Sequence, residues 1–170
     1  LRNLSTRHPD RPLAGRRVLH AVPLFKNTLT LVEAAAHLGA RLVVTSFPGA
    51  PYDPSCVDWL QDRGIEFSDP GKVQGAFDYI LDCGGAYRHL SNERTRAIVE
   101  LTRSGAIEYG GWVRPGRPPV ISVDGSAIKI LEDLFGLADG FVRGLSKQLG
   151  ALPSAGVLVI GAGKVGQGVA

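Results

Sequence analysis

Short apolar runs alternate with amphipathic stretches along most of the 170 residues of this chain. Such alternation predicts parallel strands joined by helices, because a parallel strand needs a long connection back to the same edge of the sheet. The expected strands are 17–22, 41–46, 65–67, 77–82, 106–109, 120–123 and 157–160. The expected helices are 27–38, 54–63, 92–104 and one long helix or two over 126–149, with Gly136, Gly140 and Gly144 as candidate interruptions. The sequence therefore predicts an α/β fold with an open parallel sheet.

Composition and charge argue against several classes of protein. The chain is 44% hydrophobic and 21% charged, which is typical of a globular protein. Its net charge of +3 comes from basic residues that stand singly or in pairs among carboxylates, so no nucleic-acid surface is expected. No apolar run approaches the ~20 residues of a membrane helix. Cys56 and Cys83 form no C-x-x-C pair, which favours the cytoplasm and argues against a metal site.

The two ends of the chain and one linker suggest how it is organised. Its first residue is Leu rather than Met, and Ala170 falls inside an expected helix, so we expect a piece of a longer protein. The clearest linker is 150–156, which is rich in Gly, Ala and Pro. We therefore expect a substrate-binding α/β domain with a connecting helix over 1–150, and the beginning of a Rossmann dinucleotide-binding domain over 151–170.

A glycine-rich turn follows the last expected strand. Gly161 permits a tight turn, Gly163 lets the backbone approach a pyrophosphate, and Gly166 lets the following helix pack closely. The residues expected to bind the cofactor are Gly161, Gly163, Lys164, Val165 and Gly166. The expected cofactor is NAD, although the acidic residue that separates NAD from NADP would stand ~20 positions further on, beyond Ala170. The alternative is an ordinary turn between a strand and a helix.

Six stretches together carry a resemblance to a known family. They are 12–15, 28–40, 80–85, 119–123, 134–136 and 161–168. In this order they resemble the S-adenosylhomocysteine hydrolases, which have a substrate domain, a long connecting helix and an NAD domain. In that family NAD oxidises a ribose 3′-hydroxyl, after which homocysteine is eliminated and water is added. The resemblance implies a nucleoside-like substrate, and we also expect a homo-oligomer.

The resemblance also assigns roles to individual residues. Lys129 would be the acid or base at the hydroxyl that is oxidised, and it could act as a base if burial lowers its pKa toward neutrality. The residues expected to take part in catalysis are Lys129, Asp133 and Asp82. The residues expected to contact substrate are Glu108, Asn27, Thr28 and Cys83. The alternative for Lys129 and Asp133 is surface charge on a helix, and for Asp82 a side chain that caps a turn.

Several positions depart from the family pattern. Pro23 stands where the family has a histidine, Cys83 where it has an aspartate, and Ala86 and Leu137 also differ. A proline cannot move a proton and a thiol is a poor substitute for a carboxylate, so the elimination step is not expected. The first hypothesis is an NAD-dependent enzyme that oxidises a hydroxyl of a nucleoside or related sugar and returns the hydride. The alternatives are true adenosylhomocysteine hydrolysis and a non-catalytic NAD-binding relative.

Overall fold

The computed structural model describes residues 2–150 and 157–170. The chain forms two compact units, one up to Val123 and one from Asp124 to Ala170, and each is described by itself. This division groups the long helical segment with the second unit, whereas the sequence grouped it with the sheet. The domain limits 1–150 and 151–170 stay a prediction.

The first unit contains a six-stranded parallel sheet. Its strands are β1 Arg17–His20, β2 Arg41–Val44, β3 Glu66–Phe67, β4 Tyr79–Asp82, β5 Ala97–Glu100 and β6 Val120–Ser122. The order across the sheet is β3-β2-β1-β4-β5-β6, and every neighbouring pair is parallel. The expected open, parallel α/β fold is therefore confirmed, and the strand order is Rossmann-like.

Helices connect these strands and end where the sequence has stop signals. They are α1 Arg2–Arg7, α2 Leu29–His37, α3 Pro54–Gln61, α4 Arg103–Gly110 and a 3₁₀ turn at Arg88–Leu90. The Asp53 carboxylate caps α3 by accepting the Ser55 N–H at 2.9 Å, and Pro54 occupies the first helical position. After α2 the chain reverses at Gly39, whose φ is +97°; a Cβ there would lie 2.9 Å from the Ala14 Cα.

Two apolar layers hold the sheet between its helices. Successive residues of β1 point to opposite faces, so Leu19 packs in one layer and Val18 in the other. The first layer includes Val43, Ile80, Ile98, Tyr87 and Tyr109, and the second includes Val44, Leu24, Val32, Cys56 and Leu60. Burial of both faces explains why the strands read as continuous apolar runs in the sequence.

Two predicted elements between residues 92 and 110 are wrong. The expected helix 92–104 contains β5, because Ala97–Glu100 finds hydrogen-bonding partners on both sides, in β4 and β6. The expected strand 106–109 lies inside α4. Only Gly105 and Tyr109 of that helix are buried, which is the four-residue spacing of a helical face, whereas Ile107 is 69% exposed. Pairing across the sheet outweighs local periodicity here.

The second unit is helical. Its elements are α5 Ala127–Leu131, a π-helical segment Glu132–Gly136, α6 Leu137–Leu149 and α7 Lys164–Val169. The first three follow one another without a gap, so Gly136 and Gly140 do not break the chain into separate helices. Gly150 ends α6 with a φ of +74°. The rest of the expected linker, 151–156, lies outside the described residues.

The expected strand 157–160 is wrong in this unit. These residues have no strand conformation, and the side chains of Leu158 and Ile160 are 84% and 92% exposed. A strand requires hydrogen bonds to a neighbouring strand, and the described part of this unit contains no strand that could provide them.

Candidate functional site

A cleft lies at the carboxyl edge of the sheet, beside the expected ligand position. The strand order reverses between β1 and β4, and ligands of open α/β sheets bind at such a reversal. Next to it, the loops after β2 and β4 enclose a cleft of about 410 Å³. It is lined by Phe47, Pro48, Gly84, Gly85, Ala86, Arg88 and His89. The volume lies within the range of small-molecule sites.

A buried carboxylate fixes the floor of this cleft. Glu100, at the end of β5, is fully buried and accepts hydrogen bonds from the Gly84 N–H at 3.0 Å and the Gly85 N–H at 3.1 Å. It also accepts the Thr102 N–H and hydroxyl, both at 2.7 Å. The φ angles of Gly84 and Gly85 are +70° and +68°, which glycine adopts without strain. These bonds hold the two glycines in one conformation.

Sequence reasoning missed Glu100 because it placed this residue inside a helix. The signal that could have identified it is a short apolar run, Ala97 to Val99, followed by a carboxylate. This pattern is typical of a strand that ends at a ligand-binding edge. Arg88 and His89 were missed as well. They stand on a 3₁₀ turn that no local pattern predicted.

The carboxylate of Asp82, which was expected to take part in catalysis, accepts hydrogen bonds from three residues of the chain itself. Asp82 ends β4, is fully buried, and accepts the Tyr109 hydroxyl at 2.7 Å and the N–H groups of Cys83 at 2.8 Å and Tyr87 at 3.1 Å. Burial raises the pKa of the Asp82 carboxyl despite these donors. Burial and, to a smaller extent, the hydrogen bond to Asp82 raise the pKa of the Tyr109 hydroxyl. Asp82 therefore stabilises the loop under the cleft.

Glu108 lies beside the cleft through its ion pair with Arg88. The other residues expected to contact substrate, namely Cys83, Asn27 and Thr28, do not line the cleft. The Glu108 carboxylate, half exposed on α4, pairs with the Arg88 guanidinium at 2.9 Å. A Cβ at Gly85 would lie 3.2 Å from the Glu108 Cβ, so the pair borders the glycine loop. Cys83 is buried beneath that loop.

Asn27 and Thr28 lie between β1 and α2 and do not line this cleft. The Thr28 hydroxyl donates to the Pro23 carbonyl at 2.8 Å and accepts the Phe25 N–H at 3.0 Å. Its hydrogen-bonding capacity is therefore used within the turn, while Asn27 is exposed.

In the second unit, the structure brings together three of the predicted residues. The buried Asp133 carboxylate lies 3.3 Å from the Lys129 ammonium and 3.3 Å from the Lys164 ammonium. Lys129 also pairs with Glu132 at 2.9 Å, and Lys164 with Asp124 at 3.0 Å. One buried carboxylate thus links a residue expected in catalysis to a residue expected in the cofactor site.

The neighbours of Lys129 decide the charge state of its side chain. Burial lowers the pKa of the Lys129 ammonium, but its hydrogen bond to Glu132 and the negative charge of Asp133 outweigh burial. The net result is a raised pKa, not the lowered one that a general base at neutral pH requires. The Lys129 side chain is therefore a charged hydrogen-bond donor in this arrangement.

The glycine turn has the backbone geometry that its sequence predicts. Gly161 has a φ of +117°, and a Cβ on Gly166 would collide with the Gly161 carbonyl oxygen. A Cβ on Gly163 would meet no atom within 4 Å, so open space borders the backbone where a pyrophosphate is expected. Lys164 begins α7, and Val165 is half exposed. The turn leaves room for a pyrophosphate beside Gly163, but residues 157–160 do not form the strand that precedes such a turn in a dinucleotide fold.

Among residues 2–150 and 157–170, no three His, Cys, Asp or Glu side chains are placed to hold a metal ion. In the same ranges, no helix is both long and apolar enough to cross a membrane. No protein-family model matches the chain, and a search of curated proteins finds no significant relative.

Proposed function

We propose that the protein is an NAD-dependent enzyme similar to adenosylhomocysteinase, which oxidises a hydroxyl of a nucleoside or related sugar and returns the hydride. The observation that carries the proposal is the glycine turn. Gly161 needs a left-handed φ, Gly166 has no room for a side chain, and Gly163 faces open space. These three features support the proposal, because they would let the backbone of the turn approach a pyrophosphate.

Bound NAD would supply a hydride acceptor, and the chain would supply the polar contacts. The residues that would hold the cofactor are Gly161, Gly163, Lys164, Val165 and Gly166. Lys129, kept cationic by its carboxylate neighbours, would donate a hydrogen bond to the substrate oxygen and stabilise negative charge there. Asp133, which contacts both Lys129 and Lys164, would orient the two ammonium groups.

Within the sheet unit, the cleft beside Gly84 and Gly85 has charged groups that suit a polar molecule. Arg88 donates hydrogen bonds and Glu108 accepts them, and the two charged groups already stand 2.9 Å apart at the glycine loop. A pair of sugar hydroxyls can accept from the first group and donate to the second. The hydrogen bonds from the Gly84 and Gly85 N–H groups to Glu100 hold the glycine loop beside this charged pair.

The cofactor is tested by denaturing the purified protein and identifying the released nucleotide by mass. The parent should release NAD, and Gly163→Val should release none, because its side chain fills the space beside the turn. Gly144→Val is the matched control: Gly144 lies in α6 of the same unit, and a Cβ there also meets no atom within 4 Å. Equal NAD content in Gly163→Val and the parent would refute the cofactor site.

The chemistry is tested by adding nucleosides and following the absorbance of reduced nicotinamide. Lys129→Ala should lose this signal while it keeps its NAD content. Lys147→Ala, which removes an exposed lysine from α6, should behave like the parent. Reduction at the parent rate in Lys129→Ala would show that Lys129 does not take part.

The environment of Asp82 favours a second candidate, a non-catalytic NAD-binding protein. Asp82 is fully buried and accepts hydrogen bonds from three residues of the chain, so its carboxylate is not available to a substrate. This candidate predicts bound NAD that no nucleoside reduces. The same absorbance experiment therefore separates the two functions.

A further inference from the structure

Three arginines line a cleft at the amino edge of the sheet, opposite the candidate site. Arg17 and Arg41 are the first residues of β1 and β2 and are partners in the strand register. Arg63 stands just before β3. The three side chains line one cleft of about 400 Å³ together with Gly64, Ile65 and Glu66. We call it the arginine cleft.

Two of these guanidinium groups are held in place by aromatic rings. The Arg17 Cζ lies 4.6 Å from the centroid of the Phe77 ring, and its Nη1 donates to the Ala76 carbonyl at 3.4 Å. The Arg63 Cζ lies 4.0 Å from the centroid of the Trp59 ring. Stacking restricts an arginine without neutralising its charge, so less conformational entropy is lost when an anion binds.

The lining of the arginine cleft carries more positive than negative charge. Within the described ranges, no ion pair joins Arg17, Arg41 or Arg63 to a carboxylate, and Glu66 is the single acidic residue of the lining. The nearby carboxylate of Asp78 does not compensate, because it is already shared. It is buried and lies within 4 Å of three other arginines, namely Arg16, Arg94 and Arg96.

We propose that the arginine cleft binds a small molecule that carries phosphate groups. Guanidinium groups from two strands and from the turn before β3 suit a tetrahedral group with several acceptor oxygens better than a planar carboxylate, which presents two. The volume suits a small molecule, and Ala36, Ala40 and Leu42 give the cleft an apolar wall for its organic part. This site is separate from the glycine turn and does not depend on the proposed function.

The test is calorimetric titration of the full chain with pyrophosphate at fixed ionic strength. Pyrophosphate should bind one site per chain, and Arg41→Gln and Arg63→Gln should each weaken binding about tenfold or more, as expected for loss of a charge-assisted contact. The matched control is Arg103→Gln. It removes an exposed arginine at the start of α4, which follows the carboxyl end of β5 at the opposite edge of the sheet. This variant should change the Kd less than twofold. Thermal unfolding of each variant without ligand confirms that it folds.

Further measurements separate the arginine cleft from the glycine turn and from a surface that attracts any anion. Gly163→Val should keep the binding, and in heteronuclear NMR spectra the amides of Gly64 and Ile65 should shift on titration. Citrate should bind at least tenfold more weakly than pyrophosphate. Absence of binding to the parent, equal weakening in Arg41→Gln and Arg103→Gln, loss of binding in Gly163→Val alone, or citrate binding as tight as that of pyrophosphate would each overturn the proposal.

Discussion

His20 ends β1 with a fully buried imidazole, and this should make the sheet unit less stable in mild acid. The side chain shares a face with Val18, and its register partners in the neighbouring strands are Val44 and Leu81. Neither ring nitrogen has a hydrogen-bond partner among the described residues. Burial lowers the pKa of His20 from 6.5 to about 4, and the polar backbone of the residue itself opposes this only in part.

The magnitude follows from the two pKa values. The unfolded chain protonates His20 near pH 6.5 and the folded protein only near pH 4, so stability is lost as the pH falls between these values. The complete loss corresponds to about 3 kcal/mol of unfolding free energy. Between pH 7 and pH 5, about 2 kcal/mol of this should disappear.

Urea unfolding followed by tryptophan fluorescence measures this loss, because Trp59 and Trp112 both belong to the sheet unit. His20→Leu should lose about 2 kcal/mol less than the parent between pH 7 and pH 5. It should also be no less stable at pH 7, since it removes two unpaired polar atoms from an apolar site. His8→Leu, at an exposed histidine, should keep the pH dependence of the parent. Carboxyl groups contribute equally to all three proteins.

An equal loss in the parent and in His20→Leu would refute the reasoning. It would mean that the folded protein accommodates a charged imidazole at this position, either through a partner that the structure does not contain or through local opening of β1.

Two further changes probe the polar network under the cleft. Gly105→Ala should destabilise the sheet unit by about 3 kcal/mol, because its Cβ would collide with the buried carboxyl of Glu100. Gly110→Ala, in the same helix, meets no atom within 4 Å and should cost less than about 1 kcal/mol; similar urea midpoints for the two variants would contradict this packing. Tyr109→Phe should cost about 2 kcal/mol in the same assay, since the buried Asp82 loses its 2.7 Å hydroxyl donor, and an unchanged midpoint would contradict that bond.

The sequence was sufficient for the fold class because its signals are local. Turn glycines such as Gly39 and Gly64 stand at the ends of α2 and α3, where their positive φ reverses the chain. Apolar runs between such signals are strands buried on both faces. The close contact between Gly166 and the Gly161 carbonyl likewise joins residues that are near each other in the sequence.

The structure was needed where a residue depends on distant partners. Residues 97–100 form a strand because β4 and β6 provide hydrogen bonds, although their local pattern favoured a helix. With that strand misassigned, Glu100 could not be placed beneath Gly84. The exposed apolar run 157–160 is the converse case, because its pattern predicted a strand and the described chain offers no partner.

The sequence by itself determined the fold class and indicated five of the six strands of the sheet, because their apolar runs and turn residues are local signals. It could not determine the electrostatic state of the side chains, because charge depends on burial and on neighbours across space. Arg17 and Arg41 look scattered in the sequence, yet parallel pairing sets them side by side. Lys129 would act as a base if burial lowered its pKa, but Glu132 and Asp133 raise the pKa of its ammonium instead. Tertiary packing decided these points because the Coulomb energy depends on the distance between the groups, not on their separation in sequence.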